Sequence, residues 1–188
     1  PGTVVESEYQ MISDQGPVLS FNTYNQLLHY WSNPSQSDVN GFSGDYEFVV
    51  MSAEPNRIEM VGKKHGKKIL MTALEQDVNW TSYLDDVIAM QKKVEEYFFY
   101  VIYSDSKVIG AGIYENSNQR FQLFGEETDL GDYTQNVIYT RTGIKFYEPI
   151  TIDGVTAQNF QWNASEESYI STDPGVNMVL KVEVPSNI

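Results

Sequence analysis

From residue 97 onward the chain reads as one short strand pattern after another. Strands are expected at 97–103, 108–114, 120–124, 137–141, 144–147, 155–162, 169–171 and 177–184. The first of these, YFFYVIY, is a continuous apolar run and reads as a core strand; RFQLF alternates cleanly. Turn chemistry separates them: Ser104-Asp105-Ser106-Lys107, Asn116-Ser117-Asn118, the acidic stretch GEETDLGD, and Asp153-Gly154. Asp-Gly is the strongest two-residue hairpin signal in the chain, because both central residues of such a turn need positive φ. Strands this closely spaced can only be joined as antiparallel neighbours.

The stretch 44–74, GDYEFVVMSAEPNRIEMVGKKHGKKILMTAL, repeats the theme. Residues 45–53 read as a strand, Glu54-Pro55-Asn56 as a turn, 58–62 as a second strand, 63–68 as a charged turn, and 69–72 as a third strand. Upstream, strands are expected at 3–12 and 18–21, separated by the turn cluster 13–17. Asn22 is a plausible N-cap with Phe21 before it, and Tyr24, Leu27, Leu28 and Trp31 follow helical spacing. A short helix over about 23–31 is therefore expected, ending before Pro34, with a polar loop over 35–43. One long helical pattern runs from 77 to 96, with its firm part at 80–96. Leu84, Val87, Ile88, Gln91 and Val94 mark its apolar face, Lys92 and Lys93 suit its C-terminal end, and Thr81, Asn79 and Asp77 are rival caps.

The expected architecture is mostly β, a β-rich α+β chain of antiparallel meanders with one long and one short helix. It divides into an N-terminal β unit over 1–76 and a helix plus C-terminal β unit over 77–188. Thirteen Tyr and nine Phe among 188 residues agree, since rings favour pleated, half-buried surfaces.

Composition excludes more than it assigns. A net charge of −14 argues against a nucleic-acid binder, which neutralises phosphates with an excess of Lys and Arg. It argues equally against an anionic membrane surface as main partner. There are no cysteines, so thiol nucleophiles, thiolate metal sites and disulfides are absent. No apolar run approaches the roughly 18 residues that span a bilayer. The first residues, PGTVVESEY, have no basic and no apolar leader region, so the chain is expected to be either cytosolic or a mature or trimmed product; its start almost directly in a strand-like pattern points to a part missing upstream.

Candidate sites are few. Lys63, Lys64, Lys67 and Lys68 crowd one turn around His65 and Gly66. They suit an acidic glycan, a phosphate or an acidic protein surface, or simply a solvated hairpin tip whose lysines deter edge pairing. Trp31, Trp80 and Trp162 suit sugar-stacking platforms, or core filling. Glu126, Glu127, Asp129 and Asp132 do not follow the spacing of a calcium-binding EF-hand loop and read as a surface loop. Asp85 and Asp86 diverge on a helix and make no acid/base dyad. His29 and His65 are the only histidines, and no nucleophile elbow, phosphate loop, dinucleotide fingerprint or zinc-protease motif is present. No catalytic residue, metal or cofactor is therefore expected. The N-glycosylation tripeptides at Asn79 and Asn163 are short enough to arise by chance.

Three long segments, DQGPVLSFNTYNQLLHYWSNP, GDYEFVVMS with IEMVGKKHGKKILMTAL, and TGIKFYEPITIDGVTAQNFQWN, resemble a family of uncharacterised Bacteroidetes lipoproteins, domain of unknown function 4302. The resemblance implies an outer-membrane or cell-surface location, or a periplasmic one, with a lipid anchor upstream of this chain, often beside polysaccharide-uptake machinery. It also implies an upstream Tyr- and Gly-rich region. The GDYEF strand and the IEMVGKK turn are similar to the later strands of lipocalin-like barrels. On that likeness residues 44–74 would be the closing strands of a larger barrel or half-barrel. The family carries no activity to transfer. The leading expectation is a non-enzymatic module, glycan-binding in kind. The rivals are a structural or adaptor subunit of an outer-membrane complex, and a hydrolase whose carboxylate pair assembles in space.

Overall fold

The computed structural model describes residues 4–14, 16–36, 39, 41–74 and 77–184. Thr3 of the first expected strand, Gln15 of the first turn and residues 37, 38 and 40 of the polar loop lie outside them. The chain forms two compact units, residues 1–77 and 78–188.

The first unit is an antiparallel sheet of five strands in sequence order. These are β1 (Gln10–Ser13), β2 (Pro17–Ser20), β3 (Glu47–Glu54), β4 (Arg57–Gly62) and β5 (Lys68–Thr72). Alternation turns Val18, Phe48 and Met60 to the buried side. The expected meander over 44–74 is present, but it belongs to this open sheet. The first strand is shorter than expected and begins only at Gln10.

The short helix, α1 (Gln26–His29), is a single turn. Its cap is Asn25, not Asn22: Asn25 Oδ1 accepts the amides of Leu27 at 3.0 Å and Leu28 at 3.1 Å. Both asparagines precede apolar residues. Asn25 also donates through Nδ2 to Ser7 Oγ at 3.0 Å, a tertiary contact invisible to local pattern. After His29 the chain turns through amides of Ser32 and Asn33, which both donate to the His29 carbonyl.

In the second unit α2 (Trp80–Glu95) precedes eight strands: β6 (Phe99–Ser104), β7 (Lys107–Glu115), β8 (Arg120–Gly125), β9 (Thr134–Tyr139), β10 (Gly143–Ile152), β11 (Val155–Asn163), β12 (Ser168–Ser171) and β13 (Met178–Val182). They form a closed up-and-down barrel, and β13 pairs β6 with Leu180 opposite Ile102. The lipocalin-like barrel is thus real, but it lies in the C-terminal unit. The β6–β7 and β10–β11 hairpins turn on Asp105-Ser106 and Asp153-Gly154, all four at positive φ. The strand expected at 144–147 is longer, running on to Ile152 as β10, and its register against β11 shifts between Lys145 and Ile150.

The barrel interior is filled by side chains. Phe121 touches the rings of Tyr100, Tyr114 and Phe146 at centroid distances of 5.2–5.5 Å. Leu123, Ile150, Ile152, Met178 and Leu180 close the gaps around them. An eight-stranded barrel is just wide enough for this.

Helix α2 caps one barrel end. Asn79 is its cap, accepting the Ser82 amide at 3.1 Å. Met90 and Val94 enter the core, where Tyr169 donates its hydroxyl to Met90 Sδ and Tyr100 to the Val94 carbonyl. The expected face is rotated: Tyr83, Val87, Met90 and Val94 turn inward, whereas Leu84 is 53% and Ile88 48% exposed. Apolar residues on two adjoining rows satisfied the same spacing, and the barrel rim selected one of them. Burial pushes the phenols of Tyr100, Tyr139 and Tyr169 far above their ordinary range, so they stay neutral hydroxyls.

Candidate functional site

The site with the most built-in geometry lies on the first unit, where the lead-in to β3 meets the β4–β5 turn. Asp45 organises it. Its side chain is only 3% exposed, and Oδ1 accepts the amides of Lys64 at 2.8 Å and His65 at 3.3 Å. This seats the charged turn. Gly62 leaves the space: a Cβ there would stand 2.0 Å from Asp45 Oδ2. The Gly62 amide then closes the turn against the Lys67 carbonyl.

Gly44 does the same for Trp31. A Cβ at Gly44 would lie 2.5 Å from Trp31 Cβ, and the Gly44 amide donates to the Trp31 carbonyl at 2.8 Å. Close backbone approach thus pins the segment after α1 against the start of β3. Beside that contact Tyr30, Trp31 and Phe42 form a mutual ring cluster, with centroids 5.3, 5.4 and 5.6 Å apart. All three are turned outward, at 56%, 55% and 65% exposure. Gly44, against which Trp31 packs, lies in the wall of a groove of about 520 Å³ that Ser32, Asn33, Pro34, Asp45, Tyr46, Glu47, Lys63 and Lys64 also line.

The four lysines do not act alike. Lys63 is held by Asp14 at 2.7 Å and Glu47 at 3.0 Å, and these hydrogen bonds raise its pKa further above neutrality. Glu47 also accepts from Ser20 Oγ. Among the described residues no ion pair holds Lys64, Lys67 or Lys68, and all three are exposed. His65 is half-buried; its Nδ1 stands 3.7 Å from Asp45 Oδ1, and neither ring nitrogen has a hydrogen-bond partner among the described residues. His29 is packed, its ring stacked on Tyr46 at 4.8 Å and lying against Tyr24 at 5.1 Å.

The three tryptophans are divided between the two units. Trp31 belongs to the first unit and the other two to the second. Trp162 is half-buried between Tyr97 and Tyr169 at the barrel end, with Lys93 Nζ 6.0 Å from its ring. A helix rises about 1.5 Å per residue, which puts Trp80 about 20 Å away from Lys93 along α2. Trp80 is exposed, and among the described residues the ring it meets is that of Tyr83. Of the aromatic candidates, Trp31 alone joins a ring cluster beside a groove. Tyr30 and Phe42 escaped sequence reasoning; a lone Phe beside Gly41 in a polar loop was the available signal.

The acidic loop is organised from outside itself. Asp153 accepts the amides of Glu127 at 2.7 Å and Thr128 at 2.9 Å, which holds its carboxyl below the usual range. Glu127 pairs with Lys107, and Asp129 accepts the Gly131 amide. Asp86 pairs with Arg141 at 2.8 Å, and Asp85 is exposed. Among the described residues no three His, Asp or Glu side chains converge as metal ligands would. A second groove of about 850 Å³ lies outside the barrel along β6 and β13. Its one ring, Tyr103, is tied through its hydroxyl to Glu183 at 2.6 Å.

The family model for domain of unknown function (DUF4302) matches residues 2–164, and the chain belongs to that family. No curated protein and no solved structure matches it.

Proposed function

We propose that this protein is a non-enzymatic glycan-binding module of a cell-surface or periplasmic lipoprotein, and that the groove beside Tyr30, Trp31 and Phe42 is its binding site. One observation carries the reading: three mutually touching aromatic rings are held outward, and the Trp31 backbone meets Gly44 at the wall of a polar groove. Exposed rings cost solvation, and large ones normally fill cores. Ring faces suit the C–H faces of sugars, and Asn33 and Lys64 offer partners for hydroxyls. The location rests on the sequence resemblance to Bacteroidetes lipoproteins, in which the lipid anchor precedes the region seen here.

The test is retention of the full chain on a panel of immobilised polysaccharides, with Trp31→Ala as the comparison. Loss of the largest stacking ring should weaken retention about tenfold, on the order of 1.4 kcal/mol. A panel on which no polysaccharide retains the wild-type chain would sink the reading.

A second reading, an adaptor subunit of an outer-membrane complex, draws support from the outer face of α2. There Trp80, Leu84 and Ile88 form an exposed apolar row at helical spacing. It predicts co-purification with a transporter.

A further inference from the structure

We infer that the groove selects anionic sugars, those bearing carboxylate or sulfate, over neutral ones. This rests on the glycan reading above and names its substrate class. The argument is the unequal treatment of charge around the groove. Its two carboxylates are already occupied. Asp45 is buried and accepts the amides of Lys64 and His65. Glu47 accepts from Lys63 and from Ser20. Lys63 is neutralised in turn by Asp14 and Glu47. Lys64 lines the same groove, and no ion pair among the described residues holds it. Lys67 and Lys68 stand exposed on the same turn.

The turn therefore presents uncompensated ammonium groups on the unit that also carries the exposed rings of Tyr30, Trp31 and Phe42, on a chain whose net charge is −14. Elsewhere, Lys93, Lys107 and Lys181 are each paired with a Glu, whereas Lys92 and Lys145 stand singly without an ion pair among the described residues; the turn is where three such lysines fall together. Lysine gives a point charge without the fork geometry of arginine. It suits an anion whose orientation is set by something else, here a sugar ring lying on Trp31. The wider chain repels polyanions, so their retention has to come from a local site and not from bulk charge.

The experiment measures retention of the full chain on polygalacturonate, dextran sulfate and neutral dextran, at about 20 mM and about 300 mM salt. The expected result is retention on at least one anionic polymer, weakened at high salt. Lys64→Gln should weaken it about three- to fivefold, the scale of an exposed ion pair. Phe42→Ala and Trp31→Ala should weaken it further, with unchanged circular dichroism. Preference for polygalacturonate assigns a carboxylate sugar, and preference for dextran sulfate assigns a sulfated one. Equal or stronger retention on neutral dextran overturns the inference and leaves the glycan reading standing. Retention on anionic polymers that survives loss of both rings also overturns it, because the turn is then a simple ion exchanger. Failure on all three polymers overturns the inference, while the broader polysaccharide panel decides the glycan reading separately.

Discussion

Asp173 offers the sharpest test of how the barrel is held. It lies just past the end of β12, and its carboxylate continues the β11–β12 ladder where that strand has stopped. Oδ2 accepts the amides of Gln158 at 2.6 Å and Asn159 at 3.0 Å, and Oδ1 accepts Asn159 Nδ2 at 2.6 Å. These amides sit where the β10–β11 register shifts, and Gln158 Nε2 reaches back there to the Phe146 carbonyl at 3.1 Å. Partial burial alone would raise the Asp173 pKa, but the hydrogen bonds together outweigh it and the pKa is lowered. Hydrogen bonds to a charged group contribute about 1.5–3 kcal/mol each. Asp173→Asn keeps one acceptor oxygen and aims an NH2 group at a donor, so a loss of about 2–3 kcal/mol near neutral pH is expected. At about 4 °C per kcal/mol for a unit of this size, Tm should fall by roughly 10 °C. Because the folded pKa is depressed, this stabilisation is present above the unfolded value of about 3.9 and disappears as pH falls through the folded value. Urea unfolding of wild type and Asp173→Asn near pH 7 and near pH 3 should therefore show a gap that narrows in acid. A gap that stays constant between them, or no gap at neutrality, refutes the ladder-extension argument.

Phe121→Ala removes the ring on which Tyr100, Tyr114 and Phe146 converge and should cost about 3–5 kcal/mol in urea unfolding; a loss under about 1 kcal/mol would mean the barrel core collapses around the gap. Ser106→Gly relieves a left-handed residue at φ 67° in the β6–β7 turn and should stabilise by about 0.5–1 kcal/mol, read as a rise in Tm.

Strand positions were legible because their boundaries depend on local chemistry. Asp153-Gly154 and Asp105-Ser106 adopt positive φ wherever the rest of the barrel goes. Closure was not legible. The pairing of Leu180 with Ile102 joins the two ends of the meander, and no local residue announces it. The helix face was off by one row because Leu84 and Ile88 are as apolar as Tyr83 and Met90. Only the barrel rim distinguishes them. At the site, the charged turn and Trp31 were visible as residue types. Their proximity was not, because it depends on Gly44 and Gly62 making room for Trp31 and Asp45 across long stretches of chain.

The aromatic content that first pointed to β structure is distributed differently in the two units, although Phe48 is buried in the first and Trp80, Phe98 and Tyr147 are exposed in the second. In the barrel, Tyr100, Tyr114, Phe121, Phe146, Phe160 and Tyr169 are buried, leaving an interior of side chains instead of a ligand chamber. In the open sheet unit, Tyr9, Tyr24, Tyr30, Trp31, Phe42 and Tyr46 are exposed. Rings in the barrel answer to packing, so truncating them should lower stability through the lost contacts and the cavity left behind. Exposed rings have less packing to lose, and truncating Trp31 or Phe42 should leave stability within about 0.5–1 kcal/mol while weakening the retention proposed above. Under the proposed glycan-binding reading, this exposed ring cluster is the surface a ligand would cover, and that reading predicts that its loss shows in retention more than in stability.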